Sequence, residues 1–132
     1  MKQKPYPIVN MTLGIGNDII EIERIQANIK KYGQRFLNRV FTKNEQIYCL
    51  NRKMPALHLA GRFAAKEAVV KALGTGFSQG ISWLDVEILN DANGKPYVSI
   101  SPLLTQLFAS PKLLISISHC HHYATAFAVW SS

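Results

Sequence analysis

Two carboxylates and a set of cations are the residues of this chain best suited to chemistry. Asp18 follows a short stretch that contains Gly14 and Gly16, and Glu67 shares a long helical segment with Lys71. Two carboxylates, completed by water and phosphate oxygens, are a usual way for a protein to hold Mg²⁺. Phosphoryl transfer depends mainly on positioning and charge neutralisation. These residues therefore indicate a Mg²⁺-dependent reaction on a phosphorylated substrate.

The segment Leu57–Gly76 predicts one amphipathic helix, with Gly74 in the glycine pair that ends it. Its apolar positions share one face: Leu59, Phe63, Val70 and Leu73. Lys66 projects within that face, where an unpaired charge would be costly. Arg62, Lys66 and Lys71 are suited to phosphate oxygens, arginine as a fork and lysine as a point charge.

Both carboxylates also have a purely structural interpretation. Asp18 and Glu21 match a capping box at the start of a helix, and aspartate is a favoured N-cap. Glu67 and Lys71 are four residues apart, a helical ion pair that contributes about 0.3–0.5 kcal/mol on an exposed surface. The sequence leaves these structural roles open beside the functional ones.

The first half of the chain predicts helices after a short strand at residues 11–17. Ile22, Ile25 and Ile29 recur at helical spacing, and a basic helix-and-loop segment continues through Arg39. Thr42 begins a second capping box, whose helix extends to about residue 50.

The second half predicts two hairpins separated by a small helix. A strand at Trp83–Leu89 alternates apolar and acidic residues, and Asn93-Gly94 is a strong turn signal before the returning strand Tyr97–Ile100. Leu103–Ala109 predicts the small helix, and strands at residues 113–119 and 123–130 follow. The expected fold class is α+β, with helices packed on an antiparallel sheet.

Length and charge bound the function further. The 132 residues suit one domain, which we place at residues 11–132 after a flexible N-terminal extension of residues 1–10. No apolar run reaches the length of a membrane span and no secretory signal is recognisable, so a cytoplasmic protein is expected. The net charge of +7 favours an anionic partner.

A histidine-rich turn is the remaining chemical feature. His119, Cys120, His121 and His122 are consecutive, yet residues this close on a tight turn rarely converge on one metal ion. We therefore expect His119 alone to contact an anion at a strand end. His58 is interpreted as a surface residue near the start of the long helix.

Four stretches together resemble the holo-[acyl-carrier-protein] synthases of the 4′-phosphopantetheinyl transferase superfamily. They occur in the family's order and span about residues 13–129. They are Gly14–Ile25, Gly61–Ala68 with Lys71–Gly76, Asn93–Pro96, and Ser116–His119 with Tyr123. The residues 1–10 and the pair His121-His122 depart from the family pattern.

The resemblance implies a single-domain 4′-phosphopantetheinyl transferase-like fold and a Mg²⁺-dependent transferase. The 4′-phosphopantetheine arm of coenzyme A would move to a serine of apo acyl carrier protein, with release of adenosine 3′,5′-bisphosphate, in fatty acid biosynthesis. It also implies a homotrimer with active sites between subunits, in which Asp18 of one chain faces Glu67 of the next.

The resemblance carries over roles for individual residues. Asp18 and Glu67 match the metal-binding and catalytic carboxylates, and Lys71 matches a catalytic lysine that steadies the leaving phosphate. Arg24 matches a basic position that faces the acidic carrier protein. The positions expected to contact coenzyme A are Arg62, Lys66, Gly74, Asn93, Gly94, Pro96 and His119.

Two other classes of protein share parts of this pattern. A small nucleic-acid-binding protein would present Arg62 and Lys66 to phosphates, but Glu67 interrupts that basic face and no known nucleic-acid motif is present. We therefore expect no nucleic-acid partner and no membrane partner. A non-catalytic module that binds acidic helices through residues 24–39 is compatible with the enzyme, since the same surface would serve as its carrier-protein site.

Overall fold

The computed structural model describes residues 11–132, so the extension predicted at residues 1–10 lies outside the described residues. Its helices are α1 (Ile22–Tyr32), α2 (Gln34–Val40), α3 (Lys43–Leu50), α4 (Pro55–Leu73) and α5 (Pro102–Leu107). Its strands are β1 (Thr12–Glu21), β2 (Val86–Asn90), β3 (Pro96–Ile100), β4 (Lys112–His119) and β5 (Tyr123–Ser131). The predicted α+β class is confirmed.

The strands form two antiparallel sheets rather than one. β1, β5 and β4 form a three-stranded sheet in that order, and β2 pairs with β3 as a separate hairpin. Helix α4 lies across the inner face of the three-stranded sheet, and most of its circumference is buried. The long helix is therefore a central core element and not the amphipathic helix that the sequence predicted.

The predicted helix starts and turns are largely confirmed. Thr42 accepts a hydrogen bond from the Glu45 backbone N–H, and the Glu45 carboxylate accepts one from the Thr42 N–H, which completes the capping box of α3. Pro55 lies in the first turn of α4, and Gly74 ends that helix in the left-handed conformation. The Asn93-Gly94 turn joins β2 to β3 as expected.

Two predicted boundaries are wrong. Asp18 does not cap a helix, because β1 continues to Glu21 and its backbone pairs with β5 as far as Tyr123. Trp83–Asp85 forms a short 3₁₀ turn instead of the start of a strand. There the Ser82 side chain accepts a hydrogen bond from the Leu84 N–H, and such local bonds compete with strand pairing.

Strand β1 and helix α4 approach so closely that only glycine fits between them. A Cβ atom at Gly16 would lie 2.1 Å from the carbonyl oxygen of Ala68, and one at Gly14 would lie 1.9 Å from that of Ala72. Side chains alternate along a strand, so Asp18 faces the helix as Gly16 does. The glycine contact therefore places the Asp18 carboxylate against α4.

No helix within residues 11–132 combines the length and apolar character that a membrane crossing requires.

We expect Gly16→Ala to lower the free energy of unfolding by about 3 kcal/mol, at the upper end of usual overpacking costs. The new methyl group would meet backbone, which cannot rotate away. Gly61→Ala is the matched control, because its Cβ would approach only a side-chain methyl group, Cγ2 of Ile117, at 3.1 Å. Urea unfolding compares the two variants, and equal stabilities would contradict the close strand–helix contact.

Candidate active site

Asp18 and Glu67 come together within a single chain, at the contact between β1 and α4. The pKa of Glu67 is raised, first by its partial burial and then by the negative charge of Asp18, while Lys71 opposes the rise. The expectation that Asp18 of one chain faces Glu67 of the next is therefore corrected, because one chain supplies both carboxylates.

Lys71 connects β1 to α4. Its ammonium group lies 3.0 Å from Oδ1 of Asp18 and donates a second hydrogen bond to the Asn17 carbonyl oxygen at 3.0 Å. The helical ion pair between Glu67 and Lys71 is absent from the described residues, where no hydrogen bond or ion pair engages the Glu67 carboxylate. Glu67 is thus available to a ligand, and Lys71 presents a half-exposed cation beside it.

Lys66 is not available to coenzyme A, which corrects its predicted role. Its side chain is fully buried, and its ammonium group forms an ion pair with Oε1 of Glu45 at 2.6 Å. It also donates hydrogen bonds to the carbonyl oxygens of Val40 and Trp83, at 2.7 and 3.1 Å. Burial lowers the pKa of Lys66 and raises that of Glu45, and each partner opposes the other's shift.

This buried pair also bears on the nucleic-acid hypothesis, which needs the charge of Lys66 on the helix surface. Lys66 points into the core, and Arg62 is only 4% exposed. Of the two cations that this hypothesis places on the face, Lys66 is therefore unavailable, and Arg62 is reached only through a cavity.

Arg62 lies at a cavity of about 200 Å³ between α3, α4, the β2–β3 turn and the end of β4. The cavity brings together four of the residues predicted to contact coenzyme A: Arg62, Gly94, Pro96 and His119. Asn93 precedes Gly94 in the same turn, where its backbone N–H donates to the Asp91 carboxylate. Gly74 lies at the far end of α4 and does not line this cavity, so its role stays a prediction.

The side chain of Arg62 is held in place by the Tyr48 ring and the Asn90 side-chain amide. Its guanidinium carbon lies 4.3 Å from the centre of the Tyr48 ring, and one of its terminal nitrogens donates a hydrogen bond to Oδ1 of Asn90. Asn90 in turn donates to the Gly94 carbonyl oxygen at 2.9 Å, which ties the helix to the β2–β3 turn. The Nε atom of Arg62 is the one buried side-chain nitrogen or oxygen of residues 11–132 without a hydrogen-bond partner.

Sequence reasoning missed three residues with polar side chains in this cavity: Tyr48, His58 and Asn90. His58 was interpreted as a surface residue but is half-buried in the cavity wall. Its position four residues before Arg62 places both side chains on one face of α4, a signal that the sequence did contain. The other two are brought in by tertiary contacts alone.

Replacing Lys66 or Lys71 of α4 should have different effects on the free energy of unfolding. We expect Lys66→Met to lower the free energy of unfolding by about 3–5 kcal/mol, because it leaves the buried Glu45 carboxylate without its partner. Lys71→Met is the control and should change stability by about 1 kcal/mol or less, since its ion pair is partly exposed. Denaturant titration gives both values, and a fully stable Lys66→Met would show that the pair is not structural.

Comparisons with known proteins identify the family of the chain. The family model of the 4′-phosphopantetheinyl transferase superfamily matches residues 14–128. The chain is 50% identical over 116 residues to the holo-[acyl-carrier-protein] synthase of Chlamydia muridarum, covering 88% of this chain and 92% of that protein.

Solved structures show the same fold. The crystal structure of holo-[acyl-carrier-protein] synthase from Neisseria meningitidis superimposes with a TM-score of 0.84 at 36% identity, covering 91% of this chain and 98% of that one. The enzyme from Bacillus anthracis was solved in complex with CoA (3′,5′-ADP). It superimposes with a TM-score of 0.79 at 40% identity, covering 92% of this chain and 98% of that one. The chain therefore belongs to the 4′-phosphopantetheinyl transferase superfamily, within its holo-[acyl-carrier-protein] synthases.

Proposed function

We propose that the chain transfers the 4′-phosphopantetheine arm of coenzyme A to a serine of apo acyl carrier protein and releases adenosine 3′,5′-bisphosphate. The observation that carries this proposal is the placement of two sites along one helix. Arg62 and its cavity lie in the first half of α4, and Glu67 with Lys71 lies in the second half. One site suits the nucleotide phosphate and the other suits the pyrophosphate that reacts.

The unsatisfied N–H donor of Arg62 supports the proposal that the nucleotide phosphate of coenzyme A binds in this cavity. A buried N–H without a partner carries a desolvation penalty that a ligand oxygen would relieve. Guanidinium groups bind phosphate through fixed, paired donors, so a phosphate in this cavity would satisfy the donor. The related enzyme from Bacillus anthracis was solved with CoA (3′,5′-ADP), a ligand of this chemistry.

Asp18 and Glu67 fit a Mg²⁺ ion. The two carboxylates are close enough that the negative charge of Asp18 raises the pKa of Glu67. A cation between them would relieve the repulsion between these two negative charges. Within residues 11–132 no cluster of three His, Cys, Asp or Glu side chains could hold a metal. Two carboxylates with water and substrate phosphates are nonetheless a usual Mg²⁺ environment. When bound, the ion would neutralise charge on the pyrophosphate.

The chain's own residues then position the reacting groups. Lys71 is held at the site by Asp18 and the Asn17 carbonyl oxygen, and half of its side chain is exposed to meet the leaving phosphate. The serine proton passes to one of the two carboxylates or to a water molecule that they orient. The serine oxygen forms the new bond to phosphorus while the bond to the nucleotide phosphate breaks.

The outer face of the three-stranded sheet supports the proposed homotrimer. Large apolar side chains on β1, β4 and β5 point away from α4 and are about half exposed or more: Leu13, Ile15, Ile19, Leu114 and Phe127. Apolar patches of this kind usually mark protein–protein contacts. We propose that copies of this chain associate through this face as a homotrimer; the position of the active sites between subunits stays a prediction.

A basic surface on the two helices that follow β1 supports the docking of an acidic carrier protein. Arg24 is exposed on α1, and further exposed cations continue along α1 and α2: Lys30, Lys31, Arg35 and Arg39. We propose that Arg24 and these neighbours meet acidic residues of the carrier. Complementary charge of this kind mainly accelerates association. The role in fatty acid biosynthesis, the cytoplasmic location and the absence of nucleic-acid partners stay predictions.

The transfer test combines the chain with coenzyme A, Mg²⁺ and apo acyl carrier protein and follows the carrier by mass spectrometry. We expect the native chain to add the phosphopantetheine mass, and removal of Mg²⁺ by a chelator to stop the reaction. Asp18→Ala and Glu67→Ala should each lower kcat by about 100-fold or more, because the developing charge loses its stabilisation. A native chain that leaves the carrier mass unchanged would refute the transferase.

The matched control is Glu23→Gln, an exposed carboxyl group on α1 outside the proposed site. Its kcat should stay close to that of the native chain. Normal rates in either alanine variant would show that Asp18 and Glu67 do not form the metal site.

Analytical sedimentation tests both the proposed homotrimer and its binding of carrier protein. We expect the chain alone to sediment with the mass of three copies, and apo carrier protein to add mass at low salt. At about 1 M salt, where charges are screened beyond roughly 3 Å, the carrier should dissociate while the trimer stays intact through its apolar contacts. A monomeric mass would contradict the assembly, and carrier binding that ignores salt would contradict docking through Arg24.

A further inference from the structure

Apart from Tyr48, the titratable side chains that line the cavity beside Arg62 are basic. Arg62 and His58 come from α4, and His119 comes from the end of β4. Among the described residues that line it, none is an aspartate or a glutamate. A cavity with this lining favours an anion over a neutral ligand or a cation.

His58 has a defined place in the wall of this cavity. It lies one helical turn before Arg62, so both side chains project from the same face of α4. Its ring packs edge-to-face against Tyr48 of α3 and against His119, with ring centres 6.2 Å apart in each case. These contacts hold the imidazole at the cavity and away from open solvent.

Basic groups face His58 from several elements. They are Arg62 on α4, His119 on β4 and Arg52 in the connection between α3 and α4, while Tyr48 faces it from α3. Burial lowers the pKa of His58, and repulsion from Arg62, His119 and Arg52 lowers it further. A phosphate monoester beside Arg62 would reverse the local potential and favour the imidazolium form, which donates hydrogen bonds from both ring nitrogens.

We propose that His58 is a further phosphate-binding residue of this cavity and that it takes up one proton from solvent when the nucleotide phosphate binds beside Arg62. This inference rests on the proposed function, because the phosphate belongs to the nucleotide half of coenzyme A. Binding then depends on pH with a definite sign. Affinity falls as pH rises, because the proton that must accompany the phosphate becomes scarcer.

Calorimetric titration with adenosine 3′,5′-bisphosphate, in buffers of different ionisation enthalpy, measures the protons taken up on binding. We expect net proton uptake by the native chain near neutral pH and less uptake by His58→Gln, whose side chain cannot titrate. Between about pH 6 and pH 8, the native affinity should fall more steeply than that of the variant, by up to about tenfold per pH unit for one linked proton.

His121→Gln is the matched control, since His121 is exposed on the β4–β5 turn and does not line this cavity. It should behave as the native chain does, and ionisation of the nucleotide itself is common to all three proteins. Unchanged proton uptake in His58→Gln would overturn the inference. Failure of the native chain to bind the nucleotide at any pH would instead overturn the proposed function.

A second measurement needs no variant. Proton NMR of the His58 ring in the native chain should show its titration midpoint move to higher pH when adenosine 3′,5′-bisphosphate is added. A midpoint that stays in place or moves down would overturn the inference, whether or not His58→Gln folds.

Discussion

The contact between the backbone of β1 and the backbone of α4 sets the geometry of the whole molecule. Glycines on the strand at Gly14 and Gly16 leave no side chain between the two elements. Small residues continue this close packing, because the inward side chains of the central strand β5 are alanines at positions 124, 126 and 128. The helix therefore lies low on the sheet, and the next inward residue of β1, Asp18, meets Glu67 and Lys71.

Helix α4 carries three cations with three different environments. Lys66 is neutralised in the core by Glu45, a residue that also caps α3 and accepts a hydrogen bond from the Ile88 N–H at 2.7 Å. Arg62 is buried but only partly satisfied, and Lys71 is half-exposed beside Asp18. Burial and partners, rather than residue type, decide which of these charges is structural and which is open to a ligand.

The sequence was sufficient for the class of fold, because that depends on local spacing and on motifs, and it singled out Asp18, Glu67 and Lys71 as chemically suited residues, although the structure pairs Lys71 with Asp18 and not with Glu67. It could not place Lys66, since its partner Glu45 lies 21 residues earlier and no local pattern links them. It misjudged Asp18 because a capping box and a continuing strand read alike until β5 supplies the pairing partner. The cavity at Arg62 shows the same limit, because Tyr48 and Asn90 reach it only through tertiary packing.

The order of the three-stranded sheet has a consequence for biosynthesis. β5 follows every other described element in the chain, yet it lies between β1 and β4. Until β5 is synthesised, β1 lacks its strand partner among the described residues, and its contacts with α4 alone hold Asp18 in place. Strand β1, which carries Asp18, therefore gains its pairing only after β5 has left the ribosome, and that pairing joins residues more than a hundred positions apart in sequence. Such non-local closure makes folding slow for a chain of this size.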